Sequence, residues 1–216
     1  MELGNGLAGF AANADNDFAA FDITIGADTA LNTIVEAIDR IRDTASAHER
    51  TFIVETMGRG CGWLALHAAL ATGADIALVP EVPWNVDEVV ARIEARHRAQ
   101  KAHTIVVIAE GAGSGAALAQ QLSALTGAEI RATVLGHVQR GGSPSPFDRI
   151  LGTRFGVHAA DLVANKDYGK MVCLRSGKIE SVPIDTAVGA CKLVDPSSDH
   201  VRSARAIGIT FGDSPE

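Results

Sequence analysis

The sequence predicts an α/β fold built around a largely parallel sheet. Short runs of β-branched and apolar residues alternate with longer segments of helical periodicity. The runs are apolar on successive residues, as in strands that are buried on both faces of a sheet. Strand–helix alternation of this kind is typical of α/β domains with parallel strands.

The individual elements follow from the same patterns. Strands are predicted at 52–54, 76–79, 104–108 and 132–135. Helices are predicted at 27–45, 62–72, 85–100, 114–126 and 147–164. Asn85 is the predicted N-cap of the third helix, because its side chain can accept a backbone hydrogen bond. After residue 166 we expect strands at 172–174 and 179–184 around a Ser176-Gly177-Lys178 turn, then a loop, a short helix and a polar end.

Composition excludes several classes of protein. The 216 residues are 47% hydrophobic and suffice for one large domain or two small lobes. A net charge of −7 argues against broad binding to nucleic acid or acidic membranes, since both require a positive field. Cys61, Cys173 and Cys191 form no CxxC pair, so we expect reduced thiols in a cytoplasmic protein. No apolar stretch approaches the ~18 residues of a membrane span, and residues 1–5 lack the pattern of a signal peptide.

Asp15-Asn16-Asp17 is the first candidate for chemistry. Two carboxylates two residues apart on a loop can divide the work, one accepting a proton from a hydroxyl and the other helping to hold Mg²⁺. Read alone, the same residues also suit an acidic surface turn, because Asn and Asp are common in turns.

A glycine-rich turn, 57–62, follows the first long strand and opens a helix. Its backbone N–H groups could approach an anion at the helix N-terminus, although the segment read alone favours a turn that serves only packing. The segment matches neither the dinucleotide-binding nor the P-loop pattern. A second loop carries His137 and Arg140 before a Gly-Gly turn. This pattern suits anion binding and a purely structural role equally, because arginine can bond two phosphate oxygens at once, whereas a lone histidine is more often structural.

Several segments in the same order resemble the 6-phosphofructokinase family, in its bacterial ATP-dependent type. The segments are Asp15-Asn16-Asp17, 33–44, His48-Glu49-Arg50, 55–59, Val79-Pro80-Glu81, 131–144 and 148–151. The resemblance implies Rossmann-like parallel-sheet lobes of the phosphofructokinase fold, with one lobe incomplete. It divides the chain into a remnant of the donor-binding lobe (1–26), a fructose 6-phosphate-binding lobe (27–138), and a return segment with the C-terminal tail (139–216).

The resemblance also implies roles for individual residues. Asp15 matches the base that deprotonates the 1-hydroxyl of fructose 6-phosphate, Asp17 an acid near Mg²⁺, and Arg59 an arginine that stabilises the transferring phosphoryl group. The other matching positions bind substrate: Met57, Gly58 and Glu110 contact the sugar, His137 and Arg140 bind the 6-phosphate, and Arg50 and Arg131 reach in from a neighbouring subunit. A homo-oligomer, a tetramer in the bacterial members, is therefore expected.

An allosteric effector site between subunits is implied at Arg42, Gly73, Asp75 and Lys101. Ala99 and Ala102 stand where other members carry basic side chains, which weakens an anionic effector at this place.

The sequence departs from the family in the parts that serve the phosphoryl donor. The two Gly-Gly-Asp loops of the family are absent, so roughly its first third has no counterpart, and the lead-in to the acidic loop reads Ala11-Ala12-Asn13-Ala14. Ala12 is closer to the Gly of ATP-dependent members than to the Lys of many pyrophosphate-dependent ones. The expected function is phosphoryl transfer from ATP to fructose 6-phosphate, impaired in this chain; the alternative is an inactive sugar-phosphate-binding fragment or subunit.

Overall fold

The computed structural model describes residues 8–18, 21–45, 50–187 and 191–214. The strands are β1 (Ala8–Phe10), β2 (Arg50–Thr56), β3 (Ile76–Leu78), β4 (His103–Ala109), β5 (Ile130–Val134), β6 (Lys170–Arg175) and β7 (Lys178–Pro183). The helices are α1 (Ala27–Ala45), α2 (Trp63–Thr72), α3 (Val86–Arg98), α4 (Gly115–Thr126), α5 (Pro146–Ala164), α6 (Ile184–Ala187) and α7 (Asp199–Ala206), with a 3₁₀ turn at Gly136–Arg140.

The larger sheet has the strand order β3-β4-β2-β5, and all of its pairs are parallel. Strands β2, β3 and β4 are almost continuously buried, because helices cover both faces of the sheet. This arrangement confirms the predicted α/β class. Asn85 caps α3 as expected, since its Oδ1 accepts a hydrogen bond from the N–H of Asp87 at 2.9 Å.

The smaller sheet has the order β1-β6-β7, with β1 parallel and β7 antiparallel to β6. Ser176 (φ 49°) and Gly177 (φ 75°) form the turn between β6 and β7, and two left-handed residues suit a tight hairpin. The glycine-rich segment 3–9 is expected to make a poor central strand. Residues 3–7 of this segment lie outside the described residues, and residues 8–10 form the short strand β1. The expectation that residues 1–5 are not a signal peptide also falls outside the described residues.

Helix α5 and strand β1 of the smaller sheet carry exposed apolar side chains. One face of α5 packs into the core of the smaller sheet through Leu151 and Phe155. Its opposite face exposes Ile150 and Val157 by 61% and 62%, and Phe10 in β1 is 47% exposed. The division of the chain at residues 26 and 138 stays a prediction.

The C-terminal segment returns to the larger sheet. Val201 and Phe211 are buried in the same core as α1 and α2, and Thr210 forms a parallel bridge with Ile76. The sequence predicts the short helix, now α7, but not this packing.

Candidate active site

The acidic loop is braced by its own side chains. Asn16 has a left-handed backbone (φ 54°), is fully buried, and its Oδ1 accepts a hydrogen bond from the N–H of Thr24 at 3.0 Å. Asn13 accepts from the N–H of Asp15 at 2.9 Å and donates to Asp17 Oδ1 at 2.5 Å. The loop is therefore not a plain surface turn, because its central residue is anchored inside the protein and its two carboxylates are held on either side.

Asp15 is the electrostatic centre of the site. Burial raises the pKa of its carboxyl group, and the neighbouring carboxylates of Asp17 and Glu110 raise it further, whereas the guanidinium groups of Arg140 and Arg59 lower it. These four residues come from separate segments, so the fold brings together five predicted site residues. Asp15 Oδ1 is buried and has no hydrogen-bond partner.

The carboxyl ends of β2 and β4 supply two of these residues. Thr56 pairs with Ala109 as the last residues of the two strands. The N–H of Glu110, the next residue after β4, donates to the carbonyl of Thr56 at 2.9 Å. Gly58 has φ +123°, and a Cβ there would lie 2.4 Å from the carbonyl oxygen of Cys61, so only glycine fits. Arg59 follows on the exposed part of the turn.

Met57, a predicted sugar-contacting residue, is mostly buried. Its side chain is only 6% exposed and belongs to the core beneath the sheet, and its N–H donates to Gln139 Oε1 at 3.1 Å. A contact between Met57 and a ligand is therefore limited to a small part of its surface.

The N-terminus of α2, proposed from the sequence as a place for an anion, is occupied by Glu81. Its two carboxylate oxygens accept from the N–H of Gly62 at 2.9 and 3.1 Å. A carboxylate at this position complements the partial positive charge of the helix end. At this helix end the glycine-rich turn therefore serves packing and not the binding of an external anion. Gly58 and Arg59, earlier in the turn, border the site.

The 3₁₀ turn carries His137 and Arg140, both exposed. A cavity of about 640 Å³ lies between this turn and the acidic loop, with Ala12, Asn13 and Arg140 in its wall. Asp148, which also lines it, accepts from the N–H groups of Gly26 and Thr29 at 2.9 and 2.8 Å. Asp148 therefore caps the N-terminus of α1, although the two are more than a hundred residues apart in the sequence.

Asp17, the predicted metal ligand, lies beside Asp15 in a suitable chemical setting. Carboxylate oxygens are the ligands that Mg²⁺ prefers, and Mg²⁺ in such sites is held by one or two carboxylates together with substrate phosphates. The buried Oδ1 of Asp15 is a second carboxylate oxygen that has no protein partner in the described part of the chain. Among the described residues no group of three or more His, Cys, Asp or Glu side chains could hold a metal by itself, so the protein groups fit Mg²⁺ as partial ligands.

Arg50 and Arg131 lie away from this site. Arg50 begins β2, at the end of the strand opposite Met57, which is ~20 Å away at the usual rise per residue. Arg131 pairs with Phe52 in the same half of the sheet, and both arginines form ion pairs with Glu129, at 3.1 and 2.6 Å. Neither contributes to the site of its own chain. His48 and Glu49, which precede Arg50, lie outside the described residues.

Three of the predicted effector positions, Arg42, Gly73 and Asp75, lie at or just after the C-terminus of α2. Arg42 donates to the carbonyl of Thr72, and Gly73 ends the helix with φ 62°. Asp75 is buried, forms an ion pair with Arg96 at 2.7 Å and accepts from a backbone N–H of β4. Lys101 is exposed. An effector role for these positions stays a prediction.

Comparison with known proteins places this geometry in a family. The family model described as Phosphofructokinase matches residues 4–163. An ATP-dependent 6-phosphofructokinase of Chloroflexus aggregans is 45% identical over 228 residues, covering 98% of this chain and 64% of the relative. A pyrophosphate–fructose 6-phosphate 1-phosphotransferase of Streptomyces coelicolor is 44% identical over 234 residues, covering 98% of this chain and 67% of the relative. The solved phosphofructokinase of Saccharomyces cerevisiae superposes with a TM-score of 0.78 at 39% identity, covering 85% of this chain and 26% of that one.

The chain belongs to the phosphofructokinase family, whose named relatives are phosphotransferases. It spans about 64% of the length of the first curated relatives that it matches. The recognition of the family and of its Rossmann-like α/β fold from the sequence is thereby confirmed. Within the described ranges, no helix is both long and apolar enough to cross a membrane.

Proposed function

We propose that this chain provides the acceptor half of a 6-phosphofructokinase site, at which ATP phosphorylates the 1-hydroxyl of fructose 6-phosphate to give fructose 1,6-bisphosphate. The observation that carries the proposal is the convergence of five charged side chains at the carboxyl ends of β2 and β4. They are Asp15, Asp17, Arg59, Glu110 and Arg140. Phosphoryl transfer depends mainly on positioning and on charge stabilisation, and a mixed cluster of acids and arginines supports both.

Each member has a role that suits its surroundings. Asp15 accepts the proton of the 1-hydroxyl, and its raised pKa makes it a stronger base than an ordinary surface carboxylate. Arg59 stabilises charge on the transferring phosphoryl group, because a guanidinium can bond two phosphate oxygens. Glu110 accepts hydrogen bonds from sugar hydroxyls, while His137 and Arg140 bind the 6-phosphate from the exposed 3₁₀ turn.

Asp17 is proposed to hold Mg²⁺ together with phosphate oxygens of the substrates. When bound, the ion neutralises charge on those phosphates. Asn13 keeps the Asp17 carboxylate in place through its side-chain amide, which leaves the second carboxylate oxygen for the ion.

ATP is the proposed donor, although one relative is named for pyrophosphate. Ala12 is small and exposed, so it leaves the cavity beside the acidic loop open and brings no cation to it. Assays with ATP and with pyrophosphate, at equal Mg²⁺, distinguish the donors. A faster reaction with pyrophosphate would contradict the choice of ATP.

A homo-oligomer, a tetramer as in the bacterial members, is proposed from Arg50 and Arg131, and a cytoplasmic location is proposed from the family alone. The position of the two arginines at the amino-terminal half of the sheet suits contact with the phosphate bound by a neighbouring copy. Light scattering after gel filtration tests the assembly, with Arg131→Ala compared for sugar-phosphate affinity. A monomer that binds fructose 6-phosphate as tightly as the assembly would refute these roles.

A second candidate is a sugar-phosphate-binding subunit that is inactive alone. It is favoured by the site residues themselves, because Glu110, His137 and Arg140 are all assigned to the acceptor sugar phosphate. We expect residues 1–216 alone to turn over far below the ~1–100 s⁻¹ that is usual for kinases. A coupled assay with ATP and fructose 6-phosphate measures this, and ordinary turnover would exclude the second candidate.

Binding of fructose 6-phosphate tests both candidates. Titration calorimetry should show saturable binding, and Arg140→Ala should weaken it about 10-fold to 100-fold, since hydrogen bonds to charged groups are the stronger ones. Arg98→Ala is the matched control, because Arg98 is an exposed arginine on α3 that pairs with Glu94. Absence of binding, or equal losses in both variants, would refute the proposed site.

A further inference from the structure

Gln139 is a buried polar residue within an exposed segment. Its side chain is 1% exposed, whereas the adjacent His137, Val138 and Arg140 are all exposed. Burying an amide costs free energy unless its polar atoms are bonded. The burial of Gln139 therefore requires partners inside the protein, and the structure supplies them.

The amide of Gln139 connects two separate parts of the site. Its Oε1 accepts from the N–H of Met57 at 3.1 Å, and its Nε2 donates to the carbonyl of Gly136 at 2.9 Å. Met57 lies where β2 ends, directly before Gly58 and Arg59, and Gly136 begins the turn that carries His137. One side chain thus bonds the backbone of both segments across 82 positions of sequence.

We propose that Gln139 is a positioning residue of the sugar-phosphate site, fixing Arg59 relative to His137 and Arg140. The inference rests on the proposed function, because those groups act on opposite ends of the same sugar phosphate. Gln139 contacts no ligand in this scheme and acts only through the backbone that it bonds. A site held in this way keeps the distance between its two phosphate-binding parts, which is what orientation of a substrate requires.

The requirement is specific for an amide. The side chain must accept from one backbone group and donate to another at the same time. Methionine has a similar size but offers neither bond. An ionised glutamate accepts from Met57 but cannot donate to Gly136, while a protonated glutamate can do both. Burial favours the protonated form.

Three variants test the proposal. Gln139→Met should weaken fructose 6-phosphate binding about tenfold or more, since each buried group left without a partner is costly. Gln139→Glu should bind fructose 6-phosphate weakly at pH 8, and its affinity should approach that of the unaltered protein as the pH falls to 6. Each affinity is compared with that of the unaltered protein at the same pH. Thr72→Val is the control: Thr72 is a buried residue whose hydroxyl bonds within α2 at 2.8 Å, and its variant should lose stability without losing affinity.

Amide hydrogen exchange at Met57 measures the bridge without any ligand. Exchange at this N–H should be faster in Gln139→Met than in the unaltered protein, and unchanged in Thr72→Val. Unchanged exchange, unchanged affinity in Gln139→Met, or equal affinity losses in Thr72→Val would each overturn the proposal. A loss in Gln139→Glu that is the same at every pH would also overturn it. If the unaltered chain binds no fructose 6-phosphate, the proposed function fails, and exchange at Met57 still decides whether the bridge exists.

Discussion

Protonation of His67 should destabilise the protein in mild acid. His67 lies on α2, stacked on Trp63 with ring centroids 3.9 Å apart, and faces His200 of α7 at 4.7 Å. Burial lowers the pKa of His67 from 6.5 to about 4, with smaller contributions from His200 and Lys192, although a hydrogen bond with the carbonyl of Trp63 opposes the shift. The folded state therefore holds this imidazole neutral at pH values where the unfolded chain is already protonated.

The magnitude follows from the difference between the two states. A shift from 6.5 to about 4 corresponds to about 3 kcal/mol, because one pKa unit is worth about 1.4 kcal/mol. The unfolded state binds the proton more readily, so the free energy of unfolding is unaffected above pH 6.5. It falls progressively as the pH decreases from 6.5 towards 4.

Urea unfolding at pH values from 7.5 to 4.5 measures the effect. His67→Gln should make the fall in unfolding free energy between these limits shallower, whatever its effect at neutral pH. His137→Gln is the matched control, because it makes the same replacement at an exposed histidine. The reasoning is refuted if the curves for the unaltered protein and His67→Gln remain parallel over the whole range.

Five further substitutions, at four positions, test local features of the structure. In Gly62→Ala the new Cβ would lie 2.4 Å from the Val79 side chain, so urea unfolding should show a loss of about 1–3 kcal/mol. In Gly152→Ala, within α5, the new Cβ meets nothing within 4 Å, so the free energy of unfolding should rise by about 0.5–1 kcal/mol. A more stable Gly62→Ala and a less stable Gly152→Ala would contradict this packing. Asp148→Asn should cost about 1–2 kcal/mol by weakening the cap of α1, which an unchanged thermal melt would disprove. Asn16 has φ 54°, so Asn16→Ala should lower the free energy of unfolding by about 1–2 kcal/mol and weaken fructose 6-phosphate binding. Asn16→Gly should recover only the part of this loss that comes from the left-handed backbone.

Local patterns predict the secondary structure well because the signals lie within a few residues. The predicted helix 27–45 matches α1, and the strand predicted at 104–108 falls within β4. The strand predicted at 132–135 begins earlier, at Ile130, because pairing with Thr51 extends β5 towards its amino-terminal end. Tertiary pairing therefore determines strand ends that side-chain pattern leaves open.

The contacts that hold the site are harder to predict, because their partners are far apart in sequence. Asp148 follows the start of α5, where an acid would be assigned to the N-terminus of its own helix. In the structure its carboxylate caps α1 instead. Gln139 and Glu81 belong to segments that resemble the family, yet nothing in the pattern shows that one bonds Met57 and the other Gly62. Each residue follows a predicted strand by two to four positions, and the carboxyl ends of parallel strands are where ligand sites form.

Glu81 has a further consequence, since its carboxylate also accepts from the N–H of Val194 at 2.8 Å. Two residues earlier, Lys192 N–H donates to the carbonyl of Asp17 at 2.6 Å. Residues 192–194 thus form a clasp, meaning that their backbone bonds both the acidic loop, at Asp17, and Glu81, which in turn bonds the turn after Arg59. A protease cut or a premature stop codon before residue 192 would open this clasp, so damage close to the carboxyl terminus would impair groups near the opposite terminus.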